Sequence, residues 1–167
     1  MQLPQGVSVS LEPGIIKVKG PKGEVQKAFN TKQITVELDG ADVTVKAVGK
    51  KLTRPLKAAT GAVEAHIRNM VHGVQHGYEV KLALVYSHFP VTVESKGSQV
   101  LIKNFLGEKT PRTISIKGQV KVAISGQEIT VSGINKEDVG QTASSLIEAT
   151  GVGHRDERVF QDGIYYA

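Results

Sequence analysis

Val7 to Glu24 reads VSVSLEPGIIKVKGPKGE, and Val91 to Glu108 reads VTVESKGSQVLIKNFLGE. A shift of 84 positions lays one on the other without a gap, so that Val7, Val9, Lys19, Gly23 and Glu24 meet Val91, Val93, Lys103, Gly107 and Glu108. Further along, a shift of 86 lays VKVAISGQEITV (Val120 to Val131) on ITVELDGADVTV (Ile34 to Val45), with Gly126 on Gly40 and the alternation in phase. Order, spacing and pattern agree. The chain therefore reads as two copies of one unit, residues 1–80 and 81–167.

Each copy changes its period part-way. Val7/Val9/Leu11, Ile16/Val18, Ile34/Val36/Leu38 and Val43/Val45 alternate with period two, as a half-buried antiparallel sheet requires. LDGAD (Leu38 to Asp42) and SGQE (Ser125 to Glu128) read as hairpin turns between such runs. Leu56, Ala59, Val63, Ile67 and Met70 then recur at three and four, which makes one apolar helix face. Thr53 suits the N-cap, Pro55 the first turn, and Gly73 the end. In the second copy Asn135 caps, Asp138 follows, and Val139, Ala143, Leu146 and Ile147 form the stripe. The spacing predicts helices over 54–71 and 136–149. Between the copies, YEVKLALVYSHFP (Tyr78 to Pro90) alternates as one long strand, with no Gly/Ser-rich linker. The expected class is α+β: two tandem similar lobes, each a mainly antiparallel sheet with one helix on a face.

Composition narrows the chemistry. The 167 residues are 40% apolar and 22% charged, which suffices for a packed core. Cysteine is absent, which removes disulfides, thiolate metal sites and thiol nucleophiles together. Tryptophan is absent and aromatics are 5%, against an aromatic-rich stacking platform. The start MQLPQGVSVSLEP lacks the features of a signal peptide, and no apolar run approaches membrane-spanning length, so a cytosolic protein is expected.

Nothing in the motifs supports an enzyme. No nucleophile elbow or Walker loop occurs, and GPKGE (Gly20 to Glu24) and GVGHRD (Gly151 to Asp156) have the wrong spacing or context for a phosphate loop. His66, His72 and His76 cluster, but HGVQH lacks the glutamate of a zinc hydrolase, so surface or capping roles are the better reading. No cofactor, metal or small-molecule substrate is expected.

The net charge of +5 suits a polyanion, and it is concentrated in segments. Residues 17–57 hold ten basic and four acidic side chains, and 95–121 hold six and one. Within the latter, KNFLGEKTPR (Lys103 to Arg112) combines Lys103, Lys109 and Arg112 with Asn104, a hydrogen-bonder for bases or sugars. Phe105 there is either a base stacker or, with Leu106, a plug for the sheet end. Lys117 extends this basic segment, and KGPKGEVQKA (Lys19 to Ala28) is its counterpart without an aromatic. The tail HRDERVFQDGIYYA (His154 to Ala167) adds Arg155, Arg158, Phe160, Tyr165 and Tyr166, and should dock on its own lobe or a partner. Charge alone favours the first lobe, which holds 12 basic and 7 acidic residues against 9 and 9 from residue 84 on. A shaped loop with a stacking group selects RNA better than diffuse charge does, so specificity is expected in the second lobe. Lys50 and Lys51 stand for the diffuse charge of the first.

NMVHGVQHGYEVKLALVYSHFPVTV (Asn69 to Val93), IKNFLGEKTPR (Ile102 to Arg112), ITVSGINKEDVGQTASSLIEAT (Ile129 to Thr150) and RVFQDGIYY (Arg158 to Tyr166) resemble, in this order, the family of the sixth protein of the large ribosomal subunit. The archaeal and eukaryotic branch fits, and the short length favours an archaeal source. The resemblance implies two α/β lobes from a duplication and no enzymatic activity. It implies binding to large-subunit ribosomal RNA near the stalk base and the sarcin–ricin loop, with neighbouring ribosomal proteins and translation factors close by, in the cytoplasm. It also implies that the second lobe supplies much of the RNA contact, here Lys103, Asn104, Phe105, Lys109, Arg112, Lys117, Arg155, Arg158, Tyr165 and Tyr166. Many relatives continue past the position of Ala167 with basic residues, which moves the expectation toward the loop. The alternative is a protein-interaction module that uses its repeated sheet edges.

Overall fold

The computed structural model describes residues 3–31, 34–39, 42–48, 53–153, 155–156 and 158–167. The chain divides into two units at Gly77/Tyr78 rather than at 80/81, so the whole strand between the copies belongs to the second unit.

In the first unit, β1 (Ser8–Glu12), β2 (Ile15–Gly20) and β3 (Gly23–Ala28) form an antiparallel sheet in that order. The strands β4 (Ile34–Asp39) and β5 (Asp42–Ala47) form a separate hairpin. Its register places Asp39 opposite Asp42, while the turn residues 40 and 41 lie outside the described residues. Ile16, Val18, Val25, Ile34 and Val43 are buried under α1 (Arg54–Gln75), which packs on β2, β3 and β5.

Helix α1 departs from expectation in two ways. It runs through Gly73 and ends at His76, with Gly77 taking the left-handed conformation at φ 76°. Gly73 is buried inside the helix, so its helix-breaking tendency of about 1 kcal/mol yields to packing. The decisive glycine lies on the facing strand: a Cβ on Gly20 would fall 2.6 Å from Cγ2 of Val74. Burial is also uneven. Ile67, Met70, Val71 and Val74 are buried, whereas Leu56, Ala59 and Val63 are only half-buried. Twenty-two residues make a helix of about 33 Å, longer than the roughly 20 Å of a six-residue strand, so one sheet cannot cover the whole stripe.

The second unit repeats the plan. The strands β7 (Thr92–Lys96), β8 (Gln99–Lys103) and β9 (Arg112–Ser115) match β1–β3. The strands β10 (Lys121–Ser125) and β11 (Glu128–Gly133) match β4–β5 and turn at Gly126, φ 61°. Here the hairpin extends to four strands in the order β10-β11-β6-β12, adding β6 (Tyr78–Val85) and β12 (Gly163–Tyr166). Helix α2 (Lys136–Glu148) starts at Asn135, whose side-chain oxygen accepts from the Glu137 N–H at 3.2 Å and whose amide donates to Asp138 at 2.9 Å. Val139, Ala143 and Leu146 are buried among Leu82, Leu84, Val100, Ile102, Ile129, Val131 and Ile164. Thr53, by contrast, stands at the N-cap of α1 with no side-chain cap bond.

The copies part company at one place. The strands β2 and β3 are joined by a turn at Pro21–Lys22, but β8 and β9 are joined by residues 104–111. The 84-residue register therefore holds through Lys19/Lys103 and fails beyond it: Gly23 and Glu24 open a strand, whereas Gly107 and Glu108 lie in a loop. The loop carries the offset from 84 at β2/β8 to 87 at β3/β9, and the segment before β10 returns it to 86.

Candidate nucleic-acid interface

The 104–111 loop is tightly held. Asn104 and Leu106 both have positive φ, 59° and 50°, and Gly107 follows at 79°. Asparagine tolerates this region; leucine reaches it only where its surroundings dictate the backbone. Three anchors do so. Phe105, 1% exposed, is a core side chain. The Asn104 amide donates to the Pro90 carbonyl at 3.0 Å. Arg112 closes the loop by donating from Nε to Glu108 at 2.8 Å and from Nη1 to the Ala149 carbonyl at the end of α2.

One assignment from the sequence is corrected here. Phe105 is the plug and not a stacker, because its ring lies under the Arg112 guanidinium and inside the core. Arg112 directs its donors inward, to Glu108, Ala149 and Gly151. The same hydrogen bonds hold the Glu108 carboxyl below the usual glutamate range, with Arg155 adding to the effect. Lys103 bonds Glu94 at 2.7 Å, and that bond lowers the Glu94 pKa.

Lys109 stands differently. It is exposed at the tip of this loop and makes no ion pair among the described residues. The tail segment comes up beside the loop, where Arg155 adds its charge at Glu108. Arg155 lies over the Phe160 ring, 4.8 Å from its centroid, and Phe160 packs against His88 at 4.7 Å. Arg158 is exposed and folds back on Asp156, which its side chain and N–H hold below the ordinary aspartate pKa. The segments 87–90, 104–112 and 155–162 thus meet at one end of the second unit.

Lys117 and Tyr166 lie elsewhere, while Tyr165 borders the tail segment and donates from its hydroxyl to the Gln161 carbonyl at 3.2 Å. Lys117 follows the far end of β9, where its N–H donates to Thr142 and the neighbouring Ile116 N–H to Ser98. Tyr165 and Tyr166 pair with Ala83 and Leu82 along β6, exposed on opposite faces of the sheet. The tail docks on its own unit: Ile164 is buried, and its N–H donates to the Thr150 hydroxyl at 2.9 Å. Lys50 and Lys51 lie outside the described residues. Lys22, in the first-unit turn, donates from its backbone N–H to Val74 and from its ammonium to the His76 carbonyl, and so fastens the end of α1.

One cluster has no signal in the sequence. The buried Asp162 carboxylate accepts from the Ser87 N–H at 2.6 Å, the Ser87 hydroxyl at 3.1 Å and His88 Nδ1 at 3.0 Å. Burial works against its charge, but these hydrogen bonds outweigh it and lower the pKa. Ser, His and Asp meet here without forming a nucleophilic relay. The serine oxygen and the aspartate both address Nδ1, whereas a relay needs them on opposite ring nitrogens. The cluster is a knot that ties the tail to the end of β6. Its partners are 75 positions apart, a separation no local pattern encodes.

The sequence model described as Ribosomal protein L6 matches residues 3–77 and again 89–163. The chain belongs to the ribosomal protein L6 family. Its second match starts 86 positions after the first, in keeping with the duplication. A large ribosomal subunit protein uL6 of Methanosarcina mazei is 46% identical over 99% of this chain and 93% of its own length. Those of Methanocella arvoryzae and Aeropyrum pernix are 43% and 42% identical, each over 99% of this chain and 93% and 90% of their own lengths. These archaeal relatives of the L6 chain are named as ribosomal constituents and not as enzymes.

Proposed function

We propose that this chain is a structural constituent of the large ribosomal subunit in the cytoplasm. Its second unit would bind large-subunit ribosomal RNA near the stalk base and the sarcin–ricin loop, among neighbouring ribosomal proteins and close to where translation factors dock. The observation that carries the reading is the rigid 104–112 loop, with Lys109 exposed on it and Arg155 adding its charge beside Glu108. A loop held by a buried phenylalanine and an inward arginine presents its outer cation at little further entropic cost, as recognition of a folded RNA by shape requires. Within the expected set, Lys109, Arg155 and Arg158 serve as phosphate contacts. Lys103, Asn104, Phe105 and Arg112 support them from within, and Lys117, Tyr165 and Tyr166 would belong to separate contacts.

Footprinting of the full chain on large-subunit RNA tests the placement. Protection at the stalk base and the sarcin–ricin loop, lost in Lys109→Ala with Arg155→Ala, is the expected result. Protection elsewhere, or none, overturns it. Binding that ignored salt would favour a docking protein as the principal partner.

A further inference from the structure

Phe89 is the exposed phenylalanine of the described residues, 39% accessible, whereas Phe105 is buried and Phe29 and Phe160 are half-buried. Its setting is unusual for an exposed aromatic. A Cβ on Gly107 would lie 3.4 to 3.7 Å from three atoms of the Phe89 ring, so the ring faces the bare side of this glycine with room for about a methyl group between them. The residue before it, His88, is held by Asp162 and Phe160. The residue after it, Pro90, is held through its carbonyl by Asn104. Phe89 is therefore held between two anchored neighbours and faces Gly107, with part of the residue toward solvent.

Positive charge flanks it. Lys109 lies two positions beyond the glycine that backs the ring, and Arg155 stands over the aromatic against which His88 packs. A rigid, solvent-facing ring among cations suits a nucleobase that has left its helix: the base gains a π-face and its phosphates gain counter-charges. Gly107 is fixed as glycine by its backbone, whose φ of 79° strains any other residue.

We propose that Phe89 is a base-stacking residue that receives an unpaired base of the bound RNA, an assignment that rests on the RNA-binding reading above. The chain contains no tryptophan, so Phe89→Trp places a single indole reporter at the site. Full-length Phe89→Leu, Phe89→Trp and wild-type protein are titrated with large-subunit ribosomal RNA transcript, and melting is followed for each free protein. Stacking predicts that Phe89→Leu melts like wild type but binds roughly 5- to 150-fold more weakly. It also predicts that Phe89→Trp retains binding and loses most of its indole emission on saturation. Wild-type affinity in Phe89→Leu, or an unquenched indole in a saturated complex, overturns the stacking role while leaving RNA binding intact. If Phe89→Leu melts early, the indole signal alone decides. Failure of the wild-type protein to bind the transcript removes the RNA reading and the stacking role together.

Discussion

The guanidinium carbon of Arg112 lies 4.5 Å from the centroid of the Phe105 ring. Phe105 is buried and Arg112 lies half-buried across its ring, and together they lock the loop that carries Lys109. Arg112→Ala should therefore destabilise the second unit by about 1–3 kcal/mol, for charge-assisted hydrogen bonds lost to a carboxylate and to helix-end carbonyls, and lower its thermal midpoint. Lys109→Ala should leave the midpoint unchanged. A differential melting measurement on the two variants checks the division of labour, and equal midpoints would contradict it.

The helices should respond unequally to truncation. Leu146 is completely buried, so Leu146→Ala should cost about 2–5 kcal/mol. Leu56 is half-buried on the less covered part of α1, and Leu56→Ala should cost clearly less. Urea titrations of both variants give the comparison.

Acid should loosen the tail through Asp162. Its carboxyl pKa is lowered from the ordinary 3.8, so its contribution is complete above that value and is lost as pH falls through the folded-state value. Glu94, Glu108 and Asp156 are lowered too and share in the wild-type acid response. The difference between wild type and Asp162→Asn isolates the one group. Below about pH 4 that difference should shrink as the Asp162 carboxylate takes up its proton. Stability measured at a series of acid pH values for the pair decides this, and a gap that goes on widening below about pH 4 would show the sign to be wrong.

Salt should weaken the RNA complex in proportion to the phosphates contacted. Removing the Lys109 ammonium should flatten the log–log slope by about 0.7–0.9. An unchanged slope for Lys109→Ala would mean that its ammonium neutralises no phosphate.

Much of the fold is written in local periods. The strand alternation, the caps at Thr53 and Asn135, and the stripe Val139/Ala143/Leu146 all depend on residues a few positions apart, and each found its place except the side-chain bond of Thr53. What escaped depends on distant partners. Gly73 reads as a helix stop until Gly20 is seen to make room for Val74 on the far side of the contact. Lys103 to Arg112 was legible as a special segment, because three basic residues, Asn104 and an aromatic fall within ten positions, where the counterpart in the first copy has no aromatic. The roles inside it were not. Whether Phe105 or Phe89 faces outward is settled by which ring the core has room for, and composition carries no trace of that.

The position of β6 between β11 and β12 has a consequence for how the protein is made. Ala83 pairs with Glu128, 45 positions later, and Val85 with Gly163, 78 positions later. The central strand of the second sheet is thus translated well before either neighbour. Pairings this remote close slowly, since the chain must give up the freedom of a long loop before any contact repays it. Until residues 128–133 and 163–166 arrive, Leu82 and Leu84 lie on a nascent strand with both hydrogen-bonding edges open, the kind of surface that seeks another chain. The half-synthesised protein is its most adhesive form, and a chaperone that shields an extended apolar strand would serve it best between those two moments.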